Sequence, residues 1–175
     1  KTELFISLIK EAKKLSSMYT LADILKANCG TLDIRGVAHK GFFASITDFP
    51  SYYDANMNLL DYKAAQELFH DNWPIYTRTN DSCPTQYFDT AEVKNSVISN
   101  GCQIEGTVEN SVIGRGCVIK KGAVVKNSVV LAEVTVGEGV HVENEVVDKW
   151  ARLVHEKEIV SPADQPGYIR RGDTL

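Results

Sequence analysis

The chain has no Cys-x-x-Cys pair, no apolar run long enough to cross a bilayer and no surplus of positive charge. Each gap closes off a class. Cys29 and Cys83 stand alone, so the four cysteines give neither a zinc framework nor a disulfide framework. Without a stretch of about 20 apolar residues there is no candidate membrane helix. A formal net charge of −4 offers no basic field for nucleic acid. The chain opens Lys1-Thr-Glu-Leu4, without methionine or a signal-like leader. A fragment of a longer protein in a reducing cytoplasm is the expectation. Histidine is scarce as well, and the four present show no zinc-like spacing.

What is present is an ordinary globular composition, 43% hydrophobic and 24% charged, with one strong internal signal. Four segments repeat: Val93-Lys-Asn-Ser-Val-Ile98, Val108-Glu-Asn-Ser-Val-Ile113, Val125-Lys-Asn-Ser-Val-Val130 and Val142-Glu-Asn-Glu-Val-Val147. Their starts lie 15, 17 and 17 residues apart, and Ile159 follows after another 17. Between them aliphatic residues recur every four to six positions, from Val93 through Ile104, Ile119 and Val136 to Leu153. A helix would space them by three and four, and an ordinary strand by two. A period of this kind indicates a solenoid. The reading is three short strands per turn, with the aliphatic residues pointing inward.

The corners of such a coil need left-handed backbone. Gly101, Gly116, Gly122 and Gly139 fall where a corner is due, and Asn95, Asn110, Asn127 and Asn144 take the corner in the shorter variant. Glycine and asparagine are the residues that tolerate positive φ best. The corner amides are expected to stack as a ladder. Cys102, Cys117, Ala123 and Val140 follow the glycines and should face into a narrow interior. The two cysteines then read as small buried thiols rather than a reactive pair. The pattern predicts a mostly β chain built around a left-handed parallel β-helix of the hexapeptide-repeat kind, over 92–160.

Residues 1–70 read differently. Leu4, Phe5, Leu8, Ile9, Ala12 and Leu15 form one helical stripe, and a second short helix runs through Leu21 to Leu25. Residues 31–46 look β-like. Asp48 can cap a helix carrying Tyr52 to Leu60, with Pro50 in its first turn. Another helical piece spans Tyr62 to Phe69. The stretch is expected to be the C-terminal end of an α/β domain. Residues 71–91, with Pro74 and Pro84, read as a linker, and 161–175 as a tail without readable structure.

The segment Gly41-Phe-Phe-Ala-Ser-Ile-Thr-Asp-Phe-Pro-Ser-Tyr-Tyr-Asp-Ala-Asn-Met-Asn-Leu59 resembles the ADP-glucose pyrophosphorylases (glucose-1-phosphate adenylyltransferases). Pro74-Ile-Tyr-Thr77, the Asn-Ser-Val-Ile repeats and Val147-Asp-Lys-Trp-Ala151 extend the resemblance over nearly the whole chain. It implies a nucleotidyltransferase-like piece before the β-helix, and a part in glycogen synthesis. Catalytic members carry aspartate where this chain has Ser45, tryptophan at Phe43 and glycine at Thr47. In them that aspartate helps hold magnesium, for which serine is a poor ligand. The resemblance is therefore nearest to a GlgD-type regulatory subunit, without catalytic or metal-binding residues of its own. It implies a tetramer with a catalytic subunit, Mg2+ in that partner, and a phosphorylated small-molecule effector held by Lys149 and, more weakly, Arg78. Two other classes stay open: a hexapeptide-repeat acyltransferase with His141 as base, and a plain oligomerisation module.

Overall fold

The computed structural model describes residues 2–15, 20–69, 74–76 and 81–175. They fall into two compact units, Lys1–Lys40 and Gly41–Leu175. The first is a small helical pair. In α1 (Thr2–Leu15), Leu8 and Ala12 are buried together with Ile24 of α2 (Leu21–Asn28), and Ile9 and Leu32 pack against them. Thr20 caps α2 through a capping box with Asp23: its hydroxyl accepts the Asp23 N–H, and the Asp23 carboxylate accepts the Thr20 N–H.

The strands expected over 31–46 are not formed. A strand needs a neighbour to take its N–H and C=O groups, and none of the described strands lies beside this stretch. Val37 is 93% exposed, as a chain without a ladder allows. The boundary between the compact units falls inside it rather than near residue 70.

The second unit is the parallel β-helix with its helices. One sheet stacks β1 (Gln86–Tyr87), β4 (Gln103–Ile104), β7 (Val118–Ile119), β10 (Thr135–Val136) and β13 (Arg152–Leu153). The next stacks β2 (Glu92–Lys94), β5 (Thr107–Glu109), β8 (Val124–Lys126), β11 (His141–Glu143) and β14 (Glu158–Val160). The third stacks β3 (Val97–Ile98), β6 (Val112–Ile113), β9 (Val129–Val130), β12 (Glu145–Val147) and β15 (Gly167–Ile169). All pairs are parallel and in register, Val93 on Val108, Val108 on Val125 and Val125 on Val142. The helix is longer at both ends than 92–160. It begins at Gln86 inside the expected linker, and its last strand lies in the expected tail. The tail closes the coil: Ile169 is buried, Leu175 packs on the core, and Thr174 bridges to Arg152.

The interior is filled as the period requires. Ile104, Val108, Ile113, Ile119, Val125, Val136, Val142 and Leu153 are fully buried, and so are Cys117, Ala123 and Val140. Each aliphatic side chain contributes about 1.5–3 kcal/mol by leaving water. The corners are left-handed at Gly101, Gly116, Gly122 and Gly139, and at Asn95, Asn110, Asn127 and Asn144. Two further corners use side chains that the repeat does not foretell, Glu133 and Trp150, both at φ +62°.

The asparagine ladder has a single amide–amide rung, from Asn95 Nδ2 to Asn110 Oδ1 at 2.8 Å. The continuous ladder is one residue further on. Ser96, Ser111 and Ser128 each donate to the carbonyl two residues back, at 2.8, 2.7 and 2.6 Å. Each also accepts the N–H of its counterpart in the next coil, at 3.2, 3.1 and 3.1 Å. The counterpart of Ser128 is Glu145.

Outside the prism, α3 (Phe49–Met57) lies on the third sheet. Its first turn is capped by Asp48 and Ser51, with Pro50 tolerated where no intrahelical donor is lost. Tyr53 of α3 packs with Val129 and Val146, and its hydroxyl donates to the Asn127 carbonyl at 2.5 Å. A 3-10 turn (Asn58–Leu60) and α4 (Tyr62–Leu68) follow.

Two stability predictions follow from corner and seat. Gly116→Val and Gly122→Val should each cost about 1–3 kcal/mol, because both corners have positive φ. The two costs should be similar, since the Cβ at Gly116 would meet only the Glu133 carboxylate, the free end of an exposed side chain that can swing away. Thermal unfolding that matches the parent in both variants would refute the steric account. Tyr53→Phe should lower stability by about 1 kcal/mol, read as an earlier urea midpoint at unchanged slope, by leaving the Asn127 carbonyl without its donor.

Candidate functional site

The corner between β12 and β13 brings charged and aromatic side chains together. It is built from Asp148, Lys149 and Trp150, and the last coil brings Tyr168 and Arg171 against them. Trp150 turns the corner in left-handed backbone, and its N–H donates to the Ala132 carbonyl one coil below. Its ring is 48% exposed, with the Arg171 guanidinium stacked 4.1 Å from the ring centre. The Lys149 carbonyl accepts the Gly172 N–H at 3.0 Å, which ties the two coils at this point.

Asp148 is the organising anion. Its carboxylate accepts the Lys149 N–H at 2.7 Å and the Tyr168 hydroxyl at 2.8 Å. Partial burial alone would raise its pKa. The Lys149 N–H, the Tyr168 hydroxyl and the charges of Lys149 and Arg171 outweigh burial and hold it below the usual carboxylate range. The same bond to Asp148 pushes the Tyr168 hydroxyl up, while Arg170 opposes this. Lys149 and Arg171 lie near the Asp148 carboxylate, and Arg170 and Asp173 flank Tyr168 in the last coil. Chemically, Lys149 and Arg171 offer charge-assisted donors with an aromatic face beside them.

Of the expected site residues, Lys149 is in this cluster and exposed. Arg78 lies outside the described residues. Ser45 is not a member. It is exposed, ahead of α3, where the Thr47 and Asp48 N–H groups both donate to Ser51 Oγ at 3.0 Å. His141 sits on β11 with Nε2 3.2 Å from Glu143 Oε2, a carboxylate of its own strand. Among the described residues no group of three or more His, Cys, Asp or Glu side chains is placed to hold a metal ion. Cys102 and Cys117 are buried and free, with their thiols donating to the Gly114 and Leu131 carbonyls.

Sequence reading missed Trp150, Tyr168, Arg170 and Arg171. The 161–175 segment hides its period, because five extra residues separate Ser161 from Gly167, the partner of Glu145. The signal was nevertheless there: Gly167-Tyr-Ile169 repeats the form of Glu145-Val-Val147, and a corner-like Gly172 follows.

Residues 84–165 match the family described as GlmU-like, C-terminal hexapeptide. The chain is 34% identical over 141 residues to a glucose-1-phosphate adenylyltransferase of Fervidobacterium nodosum, covering 80% of this chain and 34% of that protein. It is 31% identical over 153 residues to the glycogen biosynthesis protein GlgD of Bacillus subtilis, covering 87% and 45%. A GlgD protein of Geobacillus stearothermophilus is 36% identical over 124 residues, covering 71% and 36%. The chain thus spans less than half the length of these relatives.

Proposed function

The chain is a homologue of the glucose-1-phosphate adenylyltransferases and the GlgD glycogen biosynthesis proteins, and on that premise we propose that it is the assembly and regulatory part of a GlgD-type subunit. The catalytic partner subunit makes ADP-glucose and diphosphate from ATP and glucose 1-phosphate in the cytoplasm, with Mg2+ at its own site. This chain contributes the β-helix through which a tetramer is built, and a surface for a phosphorylated effector. No helix among the described residues is long and apolar enough to cross a membrane.

The observation that carries the reading is the Lys149 corner, an exposed set of cations with an ordered carboxylate and a Trp ring. Two further features support it. Ser45 presents a neutral hydroxyl where the catalytic members of the resembling family place a carboxylate, so these residues do not fit a magnesium site. Among the described residues the first coil is also open. β1, β2 and β3 have one partner each, and Val93, an inward position in the repeat, is 40% exposed. Open strand edges over an apolar end invite a partner chain. The acyltransferase alternative has only His141, which faces Glu143 and no described nucleophile or carbonyl-activating group.

Copurify the intact protein with its catalytic partner and assay ADP-glucose formation across a series of phosphorylated sugars and glycolytic acids. The complex should respond to one of them, and Lys149→Ala should raise the half-effective concentration or abolish the response. A variant complex with the full parental response would exclude Lys149. The intact protein assayed alone should form no ADP-glucose, because one missing metal carboxylate removes several factors of ten, each about 1.4 kcal/mol of barrier. Ser45→Asp alone should not restore turnover, since Phe43 and Thr47 have departed too. Turnover by the lone protein near that of the catalytic partner would overturn the reading.

A further inference from the structure

Glu145 stands where the repeat has serine. Ser96, Ser111 and Ser128 form the ladder below it, and Ser128 Oγ accepts the Glu145 N–H at 3.1 Å. The side chain that replaces the next hydroxyl is a carboxyl only 4% exposed. It pairs with no cation: Ser161 Oγ donates to its Oε1 at 2.5 Å, and no ion pair to it is formed among the described residues. The coil above is rebuilt around it. Five residues, 162–166, loop out between Ser161 and Gly167, with the Gln165 N–H closing on the Pro162 carbonyl at 3.0 Å. Gly167 is needed beneath that loop, since a Cβ there would lie 2.2 Å from one Glu145 oxygen and 2.4 Å from the other. Asn144 Nδ2 holds the Ser161 carbonyl at 2.8 Å.

We infer that Glu145 is a proton-dependent latch on the last coil, holding loop 162–166 and β15 down when the carboxyl is neutral and loosening them when it ionises. Protonated, the group can donate to Ser161 Oγ and sits in a dry site without charge. Ionised, it keeps one hydroxyl donor and loses most of its hydration. Burial is the leading influence on its titration and raises its pKa; the Ser161 hydroxyl opposes this. The titratable and charged groups around it are Lys126 and Glu143 at the same corner, Asp148 beyond β12, Asp164 in the loop, Tyr168 on β15, and Tyr53 and Asp54 on α3. No ion pair joins Glu145 to any of these groups among the described residues. A carboxyl with a raised folded pKa stabilises fully below its unfolded pKa. That contribution is lost as pH rises through the folded value. The last coil should therefore be tighter in mild acid than at neutral pH.

Because β15 carries Tyr168 and leads to Arg171, the latch would also set how firmly the Lys149 corner is held. That consequence rests on the proposed effector site; the latch does not.

The test is amide hydrogen exchange of the intact protein from mild acid to mild alkali, corrected for intrinsic rates, without any effector. In the parent, residues 161–171 should lose protection severalfold relative to 124–147 as Glu145 ionises. Glu145→Gln, which keeps the shape, and Glu145→Ser, which restores the repeat, should each remove this local pH dependence. Equal pH profiles for parent and Glu145→Gln would overturn the latch. So would a Glu145 carboxyl titrating at or below an exposed glutamate by carbon NMR, a reading that needs no variant to fold. Loss of effector response with the exchange result intact would count against the effector site alone.

Discussion

Every coil of this helix has to turn corners, and an L-amino-acid chain turns them in left-handed backbone. That region is open to glycine, tolerable for asparagine and strained for most others. The corner residue also carries a bond between coils. Gly116, Glu133, Trp150 and Gly172 each donate their N–H to a carbonyl one coil below, as do Asn110, Asn127 and Asn144 in another column. The corners thus fix the shape of each coil and its register on the last. The aliphatic interior adds most of the favourable free energy. It can pack in one register only because the corners have set it.

Two corners depart from both glycine and asparagine. Glu133 and Trp150 take the column that Gly101 and Gly116 begin. A left-handed L-residue costs about 1–2 kcal/mol. At Trp150 the stacked Arg171 offsets part of this, about 0.5–2 kcal/mol for a cation over an indole face. The Trp150 side chain stays half-exposed beside Lys149. Strain of this kind is retained where the surroundings over-determine it, and such places are often functional. That is why the corner is a stronger candidate than the lone His141 on the adjacent sheet.

The prism was legible in the sequence because its period comes directly from sterics. Val93, Val108, Val125 and Val142 lie in one column, as their spacing implies, and the glycine and asparagine corners have the expected positive φ. Three things were not legible. The serine ladder lay in plain view beside the asparagines, yet only the three-dimensional corner shows that the hydroxyl, and not the amide, reaches both coils. The last coil was masked by its five-residue loop, and with it went half of the charged corner. Residues 31–46 have β composition, but a strand is a relation between two segments, and composition cannot say whether the second is present. Lys149 was found through a resemblance. Its neighbours Trp150, Tyr168 and Arg171 come together only through the stacking of two coils.

The two ends of the functional reading are joined by physical contact. Ser45 lies just before Thr47 and Asp48, whose N–H groups both bond Ser51 in the first turn of α3. The ring of Phe49, the first residue of α3, meets the Tyr168 ring edge-on at 5.8 Å. Tyr168 in turn donates to Asp148, which receives the Lys149 N–H. Tyr53, one helical turn beyond Phe49, fixes α3 to the third sheet through the Asn127 carbonyl. The helix is therefore clamped to the solenoid at one point and touches the charged corner at another. A change in how Tyr168 sits must be met either at the Phe49 contact or at the bond to Asp148. Both are directional interactions, one between ring edge and ring face and one from hydroxyl to carboxylate.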